Sequence, residues 1–334
     1  MRHDSGRPNR MKIVIPDDYQ DTVDRLECFS LIRHHDVVRF REPARDLAQL
    51  VERLRDADVV VSIRERVEFS RALLANLPKL KLIALVGRNS QLIDFSACTE
   101  FGIPVATGKS NSPVAPAELA LALIVASRRN VALEAERMKR GDWPCTLSHR
   151  LRGSTLGIFG LGAIGQLVAE GGRGLGMNIL VWGQTASSEK AAAAGYKAAE
   201  SKEDLFERSD VLSLHVRLRR ETYGIVGPND LARMKPTALI VNTARAELIK
   251  PDALLDALRK GRPGYAAVDV YEQEPIINGN HPFLSMPNVL CTPHLGWAEW
   301  SNFELYFRET FEQIVAFEQG LPMRLGNPDV QPRT

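Results

Sequence analysis

Short apolar, β-rich runs recur along this chain, separated by longer polar stretches with helical spacing. MKIVIP (11–16), DVVRF (36–40), ADVVVSI (57–63), KLIALVG (81–87) and IPVAT (103–107) form a first series, with helix-competent segments such as ARDLAQLVERLRDA (44–57) between them. That alternation predicts repeated βα units and a parallel sheet covered by helices on both faces. A second series follows: STLGIFG (154–160), NILVWG (178–183), DVLSLHV (210–216), ALIVNTA (238–244), YAAVDV (265–270) and NVLCTP (288–293). Between the two series the pattern predicts one long helix from Pro116, a favourable first-turn residue, to about Lys139, ending before Gly141. The last stretch, about Trp297 to Gln319, reads as an amphipathic helix.

Composition narrows the classes. The chain has 334 residues, 44% hydrophobic and 25% charged, which suits two soluble domains of ordinary size. A net charge of +2 lacks the basic stripe expected of a nucleic-acid binder. MRHDSGRPNR (1–10) is polar and basic without an apolar centre, so it reads as a disordered leader or cloning remnant rather than a secretory signal. The longest apolar stretch, AELALALIVA (117–126), carries Glu118 and falls short of the roughly 20 residues that cross a bilayer. Cys28, Cys98, Cys145 and Cys291 are scattered, as expected of reduced thiols in a cytoplasmic protein. No residue spacing suggests a metal site, and His34, His35 and His281 read as solvated.

The sequence GIFGLGAIG (157–165) directly follows a predicted strand and opens a helix-competent segment. Each glycine of the GxGxxG pattern has a reason in that context. Gly160 makes the tight turn, Gly162 lets a pyrophosphate approach the backbone, and Gly165 allows close helix-to-strand packing. With Ala163 and Ile164, these residues place an anion on a helix N-terminus. The strand count of the second series is that of a dinucleotide-binding sheet. At the end of its second strand, VWGQTASSEK presents Gly183, Gln184 and Thr185 where an acid commonly meets the ribose 2′-hydroxyl, and the first acid is Glu189. NADP(H) is tolerated there, although no arginine stands ready to clamp its phosphate, so NAD(H) and NADP(H) both remain open.

Three residues, each just past a predicted strand, carry candidate chemistry: Arg245 in NTARAEL, Glu274 in DVYEQEP and His294 in TPHLGW. Reduction of a 2-oxo acid needs a cation for the carboxylate, a proton donor for the developing alkoxide and a hydride held in line. Arg245 supplies a planar permanent charge, His294 a proton exchangeable near neutral pH, and Glu274 a carboxylate to orient the imidazole.

In this order GLGAIG, LHV, NTARAEL, DVYEQEP and TPHLGW resemble the D-isomer-specific 2-hydroxyacid dehydrogenases, and the resemblance runs from Met11 to about Leu325. It implies an α/β protein of two doubly wound parallel-sheet domains, with a Rossmann cofactor domain (113–298) inserted into a flavodoxin-like substrate domain (11–112 plus 299–330). Cofactor contacts are then expected at His215, Val216, Thr243, Ala244 and Asp269 as well. Substrate contacts are expected at Gly87, Arg88 and Asn89 in the loop after the fourth strand, at Arg64 in SIRER, where Arg66 is a further candidate, and at Trp297. The active site is expected in the interdomain crevice, where closure excludes water. The implied function is an NAD(P)-dependent D-2-hydroxyacid dehydrogenase, working as a 2-oxo acid reductase and forming a homodimer, with 128–143 a candidate contact. Departures from the family pattern are Arg217 for a proline, Ala246 for a glycine, and Trp297 where smaller residues are frequent. Two alternatives stay open: a short phosphoglycerate dehydrogenase, and a dinucleotide-sensing, corepressor-like binding protein.

Overall fold

The computed structural model describes residues 10–143, 146–276 and 279–333, so Cys145 and most of the leader lie outside the described residues. The chain divides into two compact units, one reaching Ser112 and resuming at Trp300, the other spanning Pro113–Glu299.

In the first unit, β1 (Lys12–Ile15), β2 (Asp36–Arg39), β3 (Val59–Ile63), β4 (Leu82–Val86) and β5 (Val105–Thr107) form a five-stranded sheet of order β2-β1-β3-β4-β5. Every pairing is parallel. This is the flavodoxin-like doubly wound order. VVVSI and LIALV are buried at every position, because a central parallel strand is covered on both faces. The terminal helix, Trp300–Glu318, packs on β4 and β5 and buries Tyr306, Phe307, Phe311 and Ile314. Each such side chain contributes roughly 1.5–3 kcal/mol. Glu309 on that helix accepts the main-chain N–H groups of Lys109 and Ser110 at 2.9 and 3.0 Å, fixing the segment that leaves β5.

The second unit holds β6 (Thr155–Phe159), β7 (Asn178–Trp182), β8 (Lys197–Ala198), β9 (Val211–Leu214), β10 (Leu239–Asn242), β11 (Tyr265–Val268) and β12 (Val289–Cys291). Its sheet, β12-β11-β10-β9-β6-β7-β8, is parallel throughout and has the dinucleotide-fold order extended by one strand. The strand added beyond that six-stranded order is β12, whereas the one that sequence patterning missed is β8. It is two residues long, and both are exposed, so it leaves no apolar run to detect.

Two further expectations need correction. The single long connecting helix is two helices, Val114–Arg128 and Val131–Lys139, separated where Asn130 adopts a left-handed φ of 54°. Asparagine tolerates that conformation and breaks the helical hydrogen-bond ladder. The histidines read as solvated are mostly packed. His35 is 2% exposed, its Nδ1 accepting the Met11 N–H, and His281 rests against the rings of Tyr271 and Phe283. His34, which is exposed, joins His35 at the Glu318 carboxylate, with Nε2 to Oε2 separations of 3.5 and 3.7 Å. His35 Nδ1 accepts the Met11 N–H at 3.4 Å, while its Nε2 faces the Glu318 carboxylate at 3.7 Å, too far for a hydrogen bond. Among the described residues, no helix is long and apolar enough to cross a membrane.

Candidate active site

The glycine loop sits between β6 and the helix Ala163–Gly174. Gly160 has φ +96°, and a Cβ there would lie 3.1 Å from the His215 carbonyl oxygen. Gly165 is tighter still, since its Cβ would stand 2.2 Å from the Gly160 carbonyl oxygen, so any other residue would push the helix off the strand. Gly162, the residue before the helix, differs: a Cβ would meet nothing within 4 Å. Backbone that is open at the mouth of a helix N-terminus fits a pyrophosphate. Ala163 and Ile164 supply the first turn.

The loop is held from two sides. Gly160 donates its N–H to the Trp182 carbonyl at 2.8 Å, and Leu161 donates to Ser187 Oγ at 3.3 Å. Ser187 belongs to the helix Thr185–Ala193, which begins directly after Gly183 and Gln184. At the end of β9 the half-buried His215 places Nε2 2.9 Å from Ser213 Oγ. Burial pushes its imidazole down to about 4, so the ring beside Val216 is neutral at physiological pH.

Past β10, Asn242 organises the turn that presents Arg245. Its Oδ1 accepts the Ala244 N–H at 3.1 Å and its Nδ2 donates to the Arg245 carbonyl at 2.9 Å, bracketing Thr243. Arg245 Nη1 donates to the Ala244 carbonyl at 2.7 Å. Asn242 is 2% exposed, and although it opens the NTARAEL motif, its clamping role is not legible from spacing.

The turns after β11 and β12 bring Glu274 and His294 together. Glu274 Oε2 lies 2.5 Å from His294 Nδ1, and Oε1 accepts the Tyr271 N–H at 2.9 Å. Occupation of Nδ1 leaves Nε2 as the nitrogen to face a reactant. His294 has φ +51°, a left-handed conformation that costs roughly 1–3 kcal/mol in a non-glycine residue and concentrates at functional sites. What holds it there is Asp269, fully buried at the end of β11. Asp269 Oδ1 accepts Thr292 Oγ1–H at 2.6 Å and the Leu295 N–H at 2.7 Å, and Oδ2 accepts the Gly296 N–H at 2.9 Å. Burial raises its carboxyl above the ordinary range, opposed by those hydrogen bonds and by His294. Trp297 is buried immediately beyond, 7% exposed.

The substrate-binding candidates of the first unit gather at the carboxyl ends of β3 and β4. Gly87 has φ +109° and is buried, while Arg88 and Asn89 are exposed. Arg64 also adopts a left-handed φ, 44°, and its Nη1 lies 3.6 Å from where a Cβ on Gly87 would stand. Arg66 is turned inward instead: it donates to the Asp17 carbonyl and to Gln20 Oε1 and stacks 4.7 Å over the Tyr19 ring. That set of contacts makes it a support of the loop.

The second unit matches the model of the NAD-binding domain of D-isomer-specific 2-hydroxyacid dehydrogenases over residues 121–296. A glyoxylate reductase from Thermococcus litoralis is 34% identical over 84% of this chain and 87% of its own length. A D-3-phosphoglycerate dehydrogenase from Methanocaldococcus jannaschii is 38% identical over 74% of this chain, but the match spans only 47% of that protein. A crystal structure from Ralstonia solanacearum, provisionally assigned as a D-3-phosphoglycerate dehydrogenase, is 47% identical, with a TM-score of 0.92 over 96% of this chain and 98% of that one. The chain belongs to the D-isomer-specific 2-hydroxyacid dehydrogenase family.

Proposed function

We propose that the protein is an NAD(P)-dependent D-2-hydroxyacid dehydrogenase that works chiefly as a 2-oxo acid reductase. The observation that carries this reading is the His294–Glu274 pair, an imidazole held through Nδ1 at 2.5 Å by a carboxylate, on a turn of strained backbone. The nicotinamide, when bound, supplies the hydride that reaches C2. His294 donates its Nε2 proton to the C2 oxygen, so a carbonyl becomes a hydroxyl and the ring is left neutral. In the reverse direction the neutral ring takes the hydroxyl proton back. Glu274 keeps the ring oriented through Nδ1. Arg245 engages the substrate carboxylate and the C2 oxygen, and Gly87, Arg88, Asn89 and Arg64 complete the carboxylate contacts, with Trp297 shaping the substrate pocket. Gly160, Gly162, Ala163, Ile164 and Gly165 bind the pyrophosphate, Gly183, Gln184 and Thr185 the ribose, and His215, Val216, Thr243, Ala244 and Asp269 the nicotinamide end.

Cofactor choice follows from the end of β7. Glycine and glutamine there leave the 2′ position without a repelling acid, so NADPH is accepted alongside NADH. Phosphoglycerate dehydrogenase is the second reading, favoured by Arg64, whose guanidinium lies beside Gly87 where a substrate phosphate needs a cation. Free thiols at Cys28, Cys98 and Cys291 support a cytoplasmic setting. A homodimer through 128–143 is supported by Val131, Met138 and Trp143, which are 52%, 59% and 85% exposed. Gel filtration should return about twice the chain mass of 37.1 kDa, and a monomer mass contradicts the dimer. The experiment for the function is reduction of pyruvate with either cofactor followed by chiral separation of the lactate. D-lactate is expected, and the L form or a racemate rules the stereochemical assignment out.

A further inference from the structure

Resting on the 2-oxo acid reductase reading, we propose that Tyr271 is a positioning residue for the reaction, acting on both members of the His294–Glu274 pair at once. It stands between Asp269 and Glu274, is 8% exposed, and reaches one member of the pair directly and the other through the Thr292 carbonyl. Its main-chain N–H donates to Glu274 Oε1 at 2.9 Å, fixing the carboxylate whose other oxygen holds the imidazole. Its side-chain hydroxyl donates to the Thr292 carbonyl at 3.0 Å. That carbonyl is also the acceptor for the His294 N–H, at 3.1 Å, in a tight turn around Pro293 that ends at His294, whose own φ is positive. The hydroxyl therefore orients the oxygen from which the His294 backbone hangs.

The surroundings make the arrangement rigid. Thr292 donates its N–H to the Val268 carbonyl at 2.9 Å, continuing the β11–β12 ladder, and the Tyr271 hydroxyl lies 3.4 Å from the same Val268 oxygen. The Tyr271 ring packs edge-on against His281 at 5.1 Å, which keeps the phenol from swinging out. Cys291 on β12 lies against the hydroxyl, and burial raises its thiol, so it stays protonated beside the phenol. Among the described residues, Glu274, from the turn after β11, and Asp269, at the end of that strand, are charged groups that face His294. Asp269 fixes the far side of the turn through Leu295 and Gly296. Tyr271 fixes the near side, and a ring held from both ends meets its carboxylate in one geometry. A hydrogen-bonded pair keeps its strength only while that alignment is kept.

The test is Tyr271→Phe, which removes the hydroxyl while keeping the ring and the main-chain N–H. Loss of one neutral hydrogen bond behind a proton donor predicts a kcat for 2-oxo acid reduction lower by roughly three- to tenfold. The KM for the oxo acid and the Kd for the cofactor should stay at wild-type values, because Arg245 and the glycine loop are untouched. A packing role alone would lower Tm and leave kcat per folded enzyme unchanged. Tyr271→Met, which fills similar space without a hydroxyl, should show the same fall in kcat with KM and cofactor Kd unchanged. If both variants keep the wild-type kcat while His294→Ala is inactive, Tyr271 has no positioning role and the reductase reading stands. If His294→Ala turns over normally, the reading fails and the role of Tyr271 goes with it.

Discussion

Replacing His294 with alanine is expected to lower kcat for 2-oxo acid reduction by roughly 10²–10⁴-fold, the range that loss of a positioned general acid produces. The substitution removes the proton donor and leaves the Glu274 carboxylate, 17% exposed on its side chain, without the imidazole it holds at 2.5 Å. A carboxylate so placed keeps the Tyr271 N–H at 2.9 Å, so the turn retains part of its support. Alanine must also adopt the φ of +51° that His294 tolerates, but the Asp269 bonds to Thr292, Leu295 and Gly296 hold that turn independently of the ring. The glycine loop at 160–165 is a separate local structure, so cofactor affinity measured by fluorescence titration should stay within about twofold. A variant with wild-type kcat removes His294 from the chemistry.

The second large effect is expected at Arg245. Alanine there should lower kcat/KM for a 2-oxo acid by roughly 10²–10³-fold, because a charge-assisted contact to a carboxylate and to developing negative charge is lost together. The main chain should not follow the side chain. Asn242 brackets the turn through Ala244 N–H and the Arg245 carbonyl, and neither bond involves the guanidinium. Arg245→Lys separates charge from geometry. A lysine keeps the cation but not the planar fork, so it should recover only part of the loss. Steady-state kinetics on both variants decide the point: a normal kcat/KM in Arg245→Ala takes the residue out of the site.

These two residues were legible in the sequence because each follows an apolar run that had to be a strand, and the ends of parallel strands are where such folds present chemistry. The same logic located β1 to β5 and all but one strand of the larger sheet, since buried central strands are continuous runs of Val, Ile and Leu. What stayed hidden depends on partners remote in sequence or on single dihedral angles. Asn130 breaks the connecting helix through one left-handed φ that no periodicity encodes. β8 has no apolar residue pair to betray it. His35 is buried because Met11 and Glu318, from opposite ends of the chain, meet it. Asn242, Asp269 and Tyr271 lie inside recognised motifs, yet their work is done through side-chain bonds to main-chain groups, which spacing does not reveal. The residues that carry the proposed reaction could be read directly. Those that hold them in place required the folded chain.

The measurement that tests the central claim most directly is the rate of NADH and NADPH oxidation by the purified protein against glyoxylate, hydroxypyruvate, pyruvate, phenylpyruvate and 3-phosphohydroxypyruvate, with His294→Ala run in parallel. Turnover of at least one of these 2-oxo acids by the wild-type chain, abolished in the variant, is the predicted result. Cofactor binding without turnover on any of them would contradict the reductase and favour a dinucleotide-sensing protein built on the same fold.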